Sequence, residues 1–318
     1  MSGPLIIALP SKGRLKDQVE TWLADCGLAL LAAGGGRGYG GRLDGFDGVQ
    51  VRLASAADVA SCLVAGEAHL GVTGEDLLGE LGESASQVML LMALGFGRAD
   101  LVAAAPRSWI DVETMADVDE VAHLFLARTG RRLRVATKYL AQTRAFFAGH
   151  GIVDYRLVES SGATEGAPAA GLAELVVDIT TTGATLAANG LKVLGDGIIL
   201  RSEARLAAGL GADWDTGRLE TCRRLLGIFE ARARGRNLAS LTWPAAQDAA
   251  ARAAVAPFVA GGGSARGDGV LIAQSELFAA AQCLARAAVG PVTVTHPAYV
   301  FEATSAAATR LSDALGLP

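Results

Sequence analysis

Short apolar runs alternate with helix-like patterns from the first residues onward. "PLIIALP" is followed by "RLKDQVETWLADCGL", then "GVQVRLAS", "AADVASCLVAGEA" and "HLGVTGEDLLGEL". That β-α-β-α-β order predicts a parallel sheet covered by helices. Past Gly95 the alternation resumes with "ADLVAAAP", a helical pattern from about Val112 to Thr129, then "RLRVATK", "YLAQTRAFFAGHGI", "YRLVES", "ELVVDIT" and "GATLAANGL". A second α/β unit is expected there. The segment "DTGRLETCRRLLGIFEARARGR" places Leu219, Cys222, Leu225, Leu226 and Phe229 at helical intervals, as in a helix that closes a domain.

Beyond about Asn237 the chain turns Ala-rich, with "GGGSARGDG" between helical stretches and short strand candidates at "LASLTW", "GVLIAQ" and "PVTVTH". The fold class that follows is α/β: two tandem α/β domains with a cleft between them, arranged as in periplasmic binding proteins, plus a small C-terminal α+β domain. The expected boundaries are residues 1–94 with about 190–236 for the first domain, 95–189 for the second and 237–318 for the tail. Ligands of open sheets bind at the carboxyl ends of strands, so the cleft is the place to look.

Composition narrows the picture. With 318 residues and 51% hydrophobic positions, the chain can fill more than one core. A net charge of −5 argues against general nucleic-acid affinity and favours a small substrate. "MSGPLIIALPSKGRL" has too short an apolar run for a signal segment or a membrane span, which gives the expectation of a cytoplasmic protein with no membrane partner. The four cysteines (Cys26, Cys62, Cys222, Cys283) never form CxxC, and the four histidines form no HxH or HxxxH pair. Buried free thiols and no protein-bound transition metal are expected.

The densest chemistry lies in "ELVVDITTTGAT". An apolar run ends at Asp178, and a Thr/Gly turn then opens a helix-compatible segment. Backbone N–H groups at a helix start, with threonine hydroxyls beside them and Gly183 permitting close approach, suit a phosphate. A Thr-capped helix after a core strand is the other reading, and the spacing fits both equally. No GK[ST] follows the turn and no GxGxxG opens the first unit, so a phosphosugar fits better than a hydrolysed nucleotide or a dinucleotide.

The stretch Glu165 to Leu191, "EGAPAAGLAELVVDITTTGATLAANGL", resembles the signature of the ATP phosphoribosyltransferase family, which carries out the first step of histidine biosynthesis. Similar segments lie in register at "ALPSKGRL", "LGVTGEDLL", "LGFG", "RVATKY" and "DGIILRSEARL", so that the resemblance spans roughly residues 5–235. It implies condensation of ATP with 5-phosphoribosyl pyrophosphate (PRPP), with Mg²⁺ on the pyrophosphate. Thr180, Thr181, Thr182, Gly183, Ala184 and Thr185 would hold the 5-phosphate. Asp178 and Glu165 would face the ribose hydroxyls or the metal. Lys12 and Arg14 would face pyrophosphate or ATP phosphates, and Thr73, Gly74 and Glu75 would form the ATP-side turn. Without the resemblance, Lys12 and Arg14 read as a solvated helix start and Thr73 to Glu75 as capping alone. Lys138 reads equally as a phosphate ligand and as a surface lysine.

Three positions depart from the family pattern: Ser55 where an arginine is usual, His69 where an aspartate is usual, and Asp100 in "FGRADL". They concern the ATP side more than the PRPP side. The loop "GGGRGYGGR", with Arg37 and Arg42, offers compensating guanidinium groups or is simply a surface loop. The family further implies a homo-oligomer, a dimer or hexamer, and regulation either by histidine on a C-terminal domain or by a synthetase-like regulatory subunit. Two rivals stand beside the enzyme: a two-lobed solute-binding module and a non-catalytic paralogue.

Overall fold

The computed structural model describes residues 3–32, 40–160, 162–267 and 269–318. The chain divides into two compact units, one running to Ala24 and over Leu28–Asp215, the other comprising Asp25–Gly27 and Thr216–Pro318. The first unit contains two sheets. Its strands and helices begin with β1 (Leu5–Pro10), α1 (Gly13–Asp25), β2 (Ala29–Ala32), β3 (Gly40–Asp44), β4 (Val49–Ala54), α2 (Ala56–Val64), β5 (Leu70–Gly74), α3 (Glu75–Gly79) and β6 (Val88–Ala93). They continue with β7 (Ala99–Pro106), α4 (Met115–Thr129), β8 (Leu133–Thr137), α5 (Leu140–Gly149), β9 (Tyr155–Glu159), β10 (Leu175–Thr180), α6 (Ala184–Ala188), β11 (Leu191–Ser202) and β12 (Ala204–Gly209).

The first sheet has the order β2-β3-β4-β1-β5-β12-β6. Only its centre is parallel, β4 and β5 flanking β1, whereas β3 and β12 run antiparallel to their neighbours. The parallel sheet expected from the first β-α-β-α-β order is this β4-β1-β5 centre, and the outer strands add antiparallel pairs to it. The β2–β3 pair folds back on itself, and β12 arrives from the second sheet in the opposite sense. β1 is buried at almost every position, as a central parallel strand covered on both faces requires. On α1 the buried Val19, Trp22 and Leu23 recur at i, i+3 and i+4.

The second sheet has the order β11-β7-β10-β8-β9, with β8 parallel to both β9 and β10, and β7 antiparallel to β10 and β11. Residues 191–202 were expected to return to the first domain, but they run along β7 as β11. Their apolar pattern is interrupted at Gly195 and Gly197, where the pairing shifts register between Val193 and Ile198. A Cβ on Gly197 would lie 2.9 Å from the Ala103 carbonyl oxygen, so the bulge needs glycine there. α4 starts in a capping box of Thr114 and Asp117 and stops at Gly130 in the left-handed conformation.

The chain passes between the two sheets twice, along 94–98 and at Glu203. The two crossings are bonded to each other: Leu94 N–H donates to the Ala204 carbonyl at 3.0 Å, and Ala204 N–H donates to the Phe96 carbonyl at 2.9 Å.

The second unit starts with α7 (Thr216–Asn237), on which Leu219, Cys222, Leu225, Leu226 and Phe229 are all fully buried. This helix, expected to close the first domain, groups with the tail. β13 (Leu238–Thr242), α8 (Asp248–Ala260), β14 (Ser264–Arg266), β15 (Gly269–Ala273), α9 (Leu277–Arg286), β16 (Thr293–Thr295) and α10 (Ala306–Leu315) follow. The four strands form an antiparallel sheet, β14-β15-β13-β16, whose core includes Leu241, Trp243, Val255, Ile272 and Leu284. The small α+β domain expected after Asn237 is this sheet with its helices. Among the described residues no helix is long and apolar enough to cross a membrane.

Candidate active site

β10 carries the central acid to the carboxyl end of the second sheet. Leu175, Val176 and Val177 are buried, and Asp178 emerges half-buried where the apolar run stops. Its carboxylate accepts the Ile179 N–H at 2.8 Å. Burial pushes its pKa above the usual aspartate range, and the nearby Glu165 charge pushes the same way. The Ile179 N–H and Lys138 oppose both. Asp178, Glu165 and Lys138 therefore share one electrostatic neighbourhood.

The turn that follows closes on itself. Thr180 Oγ1 accepts the Gly183 N–H at 2.8 Å, and Thr182 Oγ1 accepts the Ala184 N–H at 3.4 Å. Gly183, at φ 72°, holds the N-cap position of α6 without a side-chain bond. Thr181, Thr182, Ala184 and Thr185 are exposed. Two threonine oxygens thus occupy loop N–H groups, a difference from a cradle in which every hydroxyl donates outward, while the first turn of α6 still presents N–H groups with no intrahelical partner.

Two further segments approach this loop. Glu165 lies in a single 3₁₀ turn, Thr164–Gly166, anchored by the buried Thr164, whose hydroxyl donates to Ser160 Oγ at 3.1 Å. Arg14, exposed at the start of α1, donates from Nη2 to Thr181 Oγ1 at 3.4 Å and so joins the first sheet's helix to the second sheet's loop. Lys12 is exposed beside it and bonds to no loop residue among the described residues. Lys138 Nζ lies 4.9 Å from the centre of the Tyr139 ring.

The first-lobe turn differs from its sequence reading. Thr73, taken as an N-cap-like residue and an ATP contact, is fully buried, and its hydroxyl donates to the Ala56 carbonyl at 2.7 Å. Gly74 takes the N-cap position of α3, with no side-chain cap. A core-facing Thr73 offers no hydroxyl to a ligand, because its place on β5 points it toward α2. Glu75 is paired with Arg205 at 2.9 Å.

Sequence reasoning missed the group behind this turn. The Asp76 carboxylate accepts from the Tyr139 hydroxyl at 2.7 Å and from the Ser202 hydroxyl at 2.8 Å, and the Ser202 oxygen accepts the Asp76 N–H at 3.0 Å. Burial first, then the Asp76 charge, holds the Tyr139 hydroxyl far above the usual phenol range, so it stays a neutral donor. Glu80 accepts the N–H groups of Ala141 and Gln142 at 2.7 and 3.2 Å, capping α5 from the other sheet. The only sequence trace of this joint was a pair of acids in a first helical turn.

The departures are accounted for locally. Ser55 is the N-cap of α2, accepting the Asp58 N–H at 3.2 Å. His69 is buried; its Nδ1 accepts the Ile6 N–H at 3.1 Å, so the proton sits on Nε2, 3.1 Å from the Asp213 carbonyl oxygen. Asp100 sits opposite Thr180 on one side and Arg201 on the other in the strand register. Arg37 lies outside the described residues, and Arg42 is exposed on β3. No cluster of three or more His, Cys, Asp or Glu side chains able to hold a metal occurs among the described residues. The cysteines are free, and burial pushes Cys222 up to about 12.

The family model described as "HisG: ATP phosphoribosyltransferase" matches residues 55–226. An ATP phosphoribosyltransferase of Caulobacter vibrioides is 65% identical over 316 residues, covering 99% of each chain. Another, from a Bradyrhizobium species, is 57% identical over 235 residues, covering 74% of this chain and 72% of its own. Among solved structures, the ATP phosphoribosyl transferase (HisG:HisZ) complex from Thermotoga maritima aligns with a TM-score of 0.54 at 25% identity, over 71% of this chain and 96% of that one.

Proposed function

The chain belongs to the ATP phosphoribosyltransferase family, and from this premise we infer that it joins adenine N1 of ATP to C1 of PRPP, releasing pyrophosphate as the first step of histidine biosynthesis. The observation that carries the reading is the exposed Thr/Gly turn directly after a half-buried acid at a strand end. A solute-binding module has no place for a membership this specific.

Adenine N1 is a lone-pair nucleophile, so the attack needs no side-chain base. The work left to the protein is positioning and charge stabilisation. We assign the 5-phosphate to the turn from Thr180 to Thr185, where N–H groups, hydroxyls and Gly183 meet. Asp178, with Glu165 beside it, takes the ribose hydroxyls. Arg14 and Lys12 take the pyrophosphate as it gathers charge, a role supported by the reach of Arg14 to Thr181. On the ATP side, Gly74 and Glu75 remain candidates, and Thr73 supports them from behind.

Mg²⁺ is proposed to enter with the pyrophosphate and to neutralise part of its charge. The mutual repulsion of Asp178 and Glu165 fits a cation at their side of the site. The cytoplasm, where ATP and PRPP are made, is the proposed location. The Thermotoga complex names a second component, and by analogy a regulatory partner chain, histidine acting on the tail domain and a homo-oligomer complete the proposal.

The test is the ultraviolet absorbance of phosphoribosyl-ATP formed by the purified chain with Mg²⁺ and pyrophosphatase. We expect a rise that requires both substrates. A folded chain that binds ATP and PRPP yet forms no product, with and without a regulatory partner, overturns the reading. Calorimetry with histidine on the full chain tests the tail: no heat removes the effector from the proposal.

A further inference from the structure

At the end of the second sheet remote from Asp178 lies an open groove of about 580 Å³, lined by Arg132, Arg144, Arg156, Ile152, Tyr155 and Leu157 among others. β8, β9 and β10 run parallel, so Thr137 and Asp178 mark their carboxyl ends, whereas Arg132 and Tyr155 mark the amino ends of β8 and β9. A ligand here is not a substrate of the cleft.

The charge distribution is lopsided. The chain as a whole is acidic, yet no carboxylate lines this groove. The neighbouring Arg131 and Arg134 share one acid, Glu174, at 3.3 and 2.8 Å, so no carboxylate is left over for the groove there. Asp154, the acid in the adjoining loop, turns to His123 at 3.3 Å. Among the described residues Arg132, Arg144 and Arg156 have no ion-pair or hydrogen-bond partner, and all three are exposed. Clustered guanidinium groups repel one another, and an anion relieves that cost. The floor between them is apolar and fixed. Ile152 is buried, and the Tyr155 ring packs 4.7 Å from Phe147, while Val153 stands 68% exposed at the rim.

We propose that this groove is a second anion site, taking a nucleoside polyphosphate with its phosphates on Arg132, Arg144 and Arg156 and its base against Tyr155 and Val153. Planar guanidinium forks match phosphate oxygens, and the volume falls within the range of small-molecule sites. Arg144 stands on α5, the helix whose first turn is capped by Glu80 from the first sheet, so an occupant pulls on an element that reaches the catalytic side. This inference does not depend on the reaction proposed above.

Calorimetric titration of the full chain with ADP tests it. We expect two binding events per chain, the weaker one lost in the triple variant Arg132→Gln, Arg144→Gln, Arg156→Gln with turnover unchanged. Each single substitution is expected to weaken that event about tenfold, the value of one charge-assisted contact. No binding event in the wild type, or none that the triple substitution removes, overturns the site. If the chain proves inactive as a transferase, the event lost with the arginines still reads this groove alone.

Discussion

Two strand-to-helix turns stand at the carboxyl ends of central strands in this molecule, and they have opposite fates. The turn after β10 and the turn after β5 both place a glycine at the N-cap of a short helix, Gly183 and Gly74, and neither has a side-chain cap. After β10 Thr181, Thr182 and Thr185 are exposed, and the bonds to Thr181 and Thr182, from Arg14 and the Ala184 N–H, are both long at 3.4 Å. After β5 the polar groups are consumed: Thr73 by Ala56, Glu75 by Arg205, and Asp76 by Tyr139 and Ser202. The same local geometry is left open in the turn we propose as the phosphate cradle and makes a joint between sheets in the other. What differs is burial: Thr73, Asp76 and Ser202 are buried with their partners, whereas Thr181, Thr182 and Thr185 stay exposed.

The comparison breaks most visibly at Asp76. Asp76→Ala leaves the buried Tyr139 and Ser202 hydroxyls without their acceptor, at about 1–3 kcal/mol each, and denaturant unfolding should show a loss of several kcal/mol. A stability unchanged within error would mean that this turn is no joint.

Asp178→Asn sharpens the other side. Loss of one charged hydrogen-bond pair should lower kcat/KM for PRPP by about 1.5–3 kcal/mol in activation free energy. Stability should move the other way. The native pKa of Asp178 lies above its ordinary value of 3.8, so ionisation disfavours the folded state: its contribution is best below that value and falls as pH rises through the native pKa. At neutral pH the asparagine variant should therefore unfold no earlier than wild type. The acid limb of kcat/KM for PRPP should lie above the ordinary aspartate range and flatten in the variant. Equal PRPP use would remove Asp178 from the site.

Gly183→Ala is smaller, about 1–2 kcal/mol, because a side chain at φ 72° is strained although open space surrounds it. It should appear as a raised KM for PRPP with KM for ATP unchanged. Ser55→Ala is the smallest. It removes the α2 cap, about 1 kcal/mol of stability, and should leave KM for ATP as it was. A changed ATP KM would give Ser55 a ligand role.

The same contrast explains what was readable beforehand. The β10 turn keeps its polar groups within a dozen consecutive residues, so spacing singles the stretch out, as a phosphate cradle or a capped turn alike, and the resemblance covers the same residues. The joint is made by Asp76, Tyr139 and Ser202, at separations of 63 and 126 positions. No local window contains it, and Asp76 reads as an ordinary first-turn acid. Thr73 misled for the same reason: a capping residue and a core threonine share one sequence pattern. The placement of residues 191–202 failed because a glycine bulge broke a strand's apolar run. The departures His69 and Ser55, which bear on the ATP side in the sequence, have structural roles no pattern announced, a two-ended backbone clamp and a helix cap.

The paired crossings at 94–98 and Glu203 carry one more consequence. Their mutual hydrogen bonds make them a narrow ribbon, so close at Gly97 that a Cβ there would lie 3.1 Å from the Ala204 side chain. A ribbon bends easily across its thin direction and resists shear along its length, since sliding one track past the other breaks Leu94 and Ala204 from their partners. The ribbon is therefore one of several ties between the two sheets, with Asp76–Tyr139 and Glu80–Ala141 beside it and the contact from Arg14 to Thr181 on the side of the candidate site, so a slide of one sheet past the other breaks all of them together.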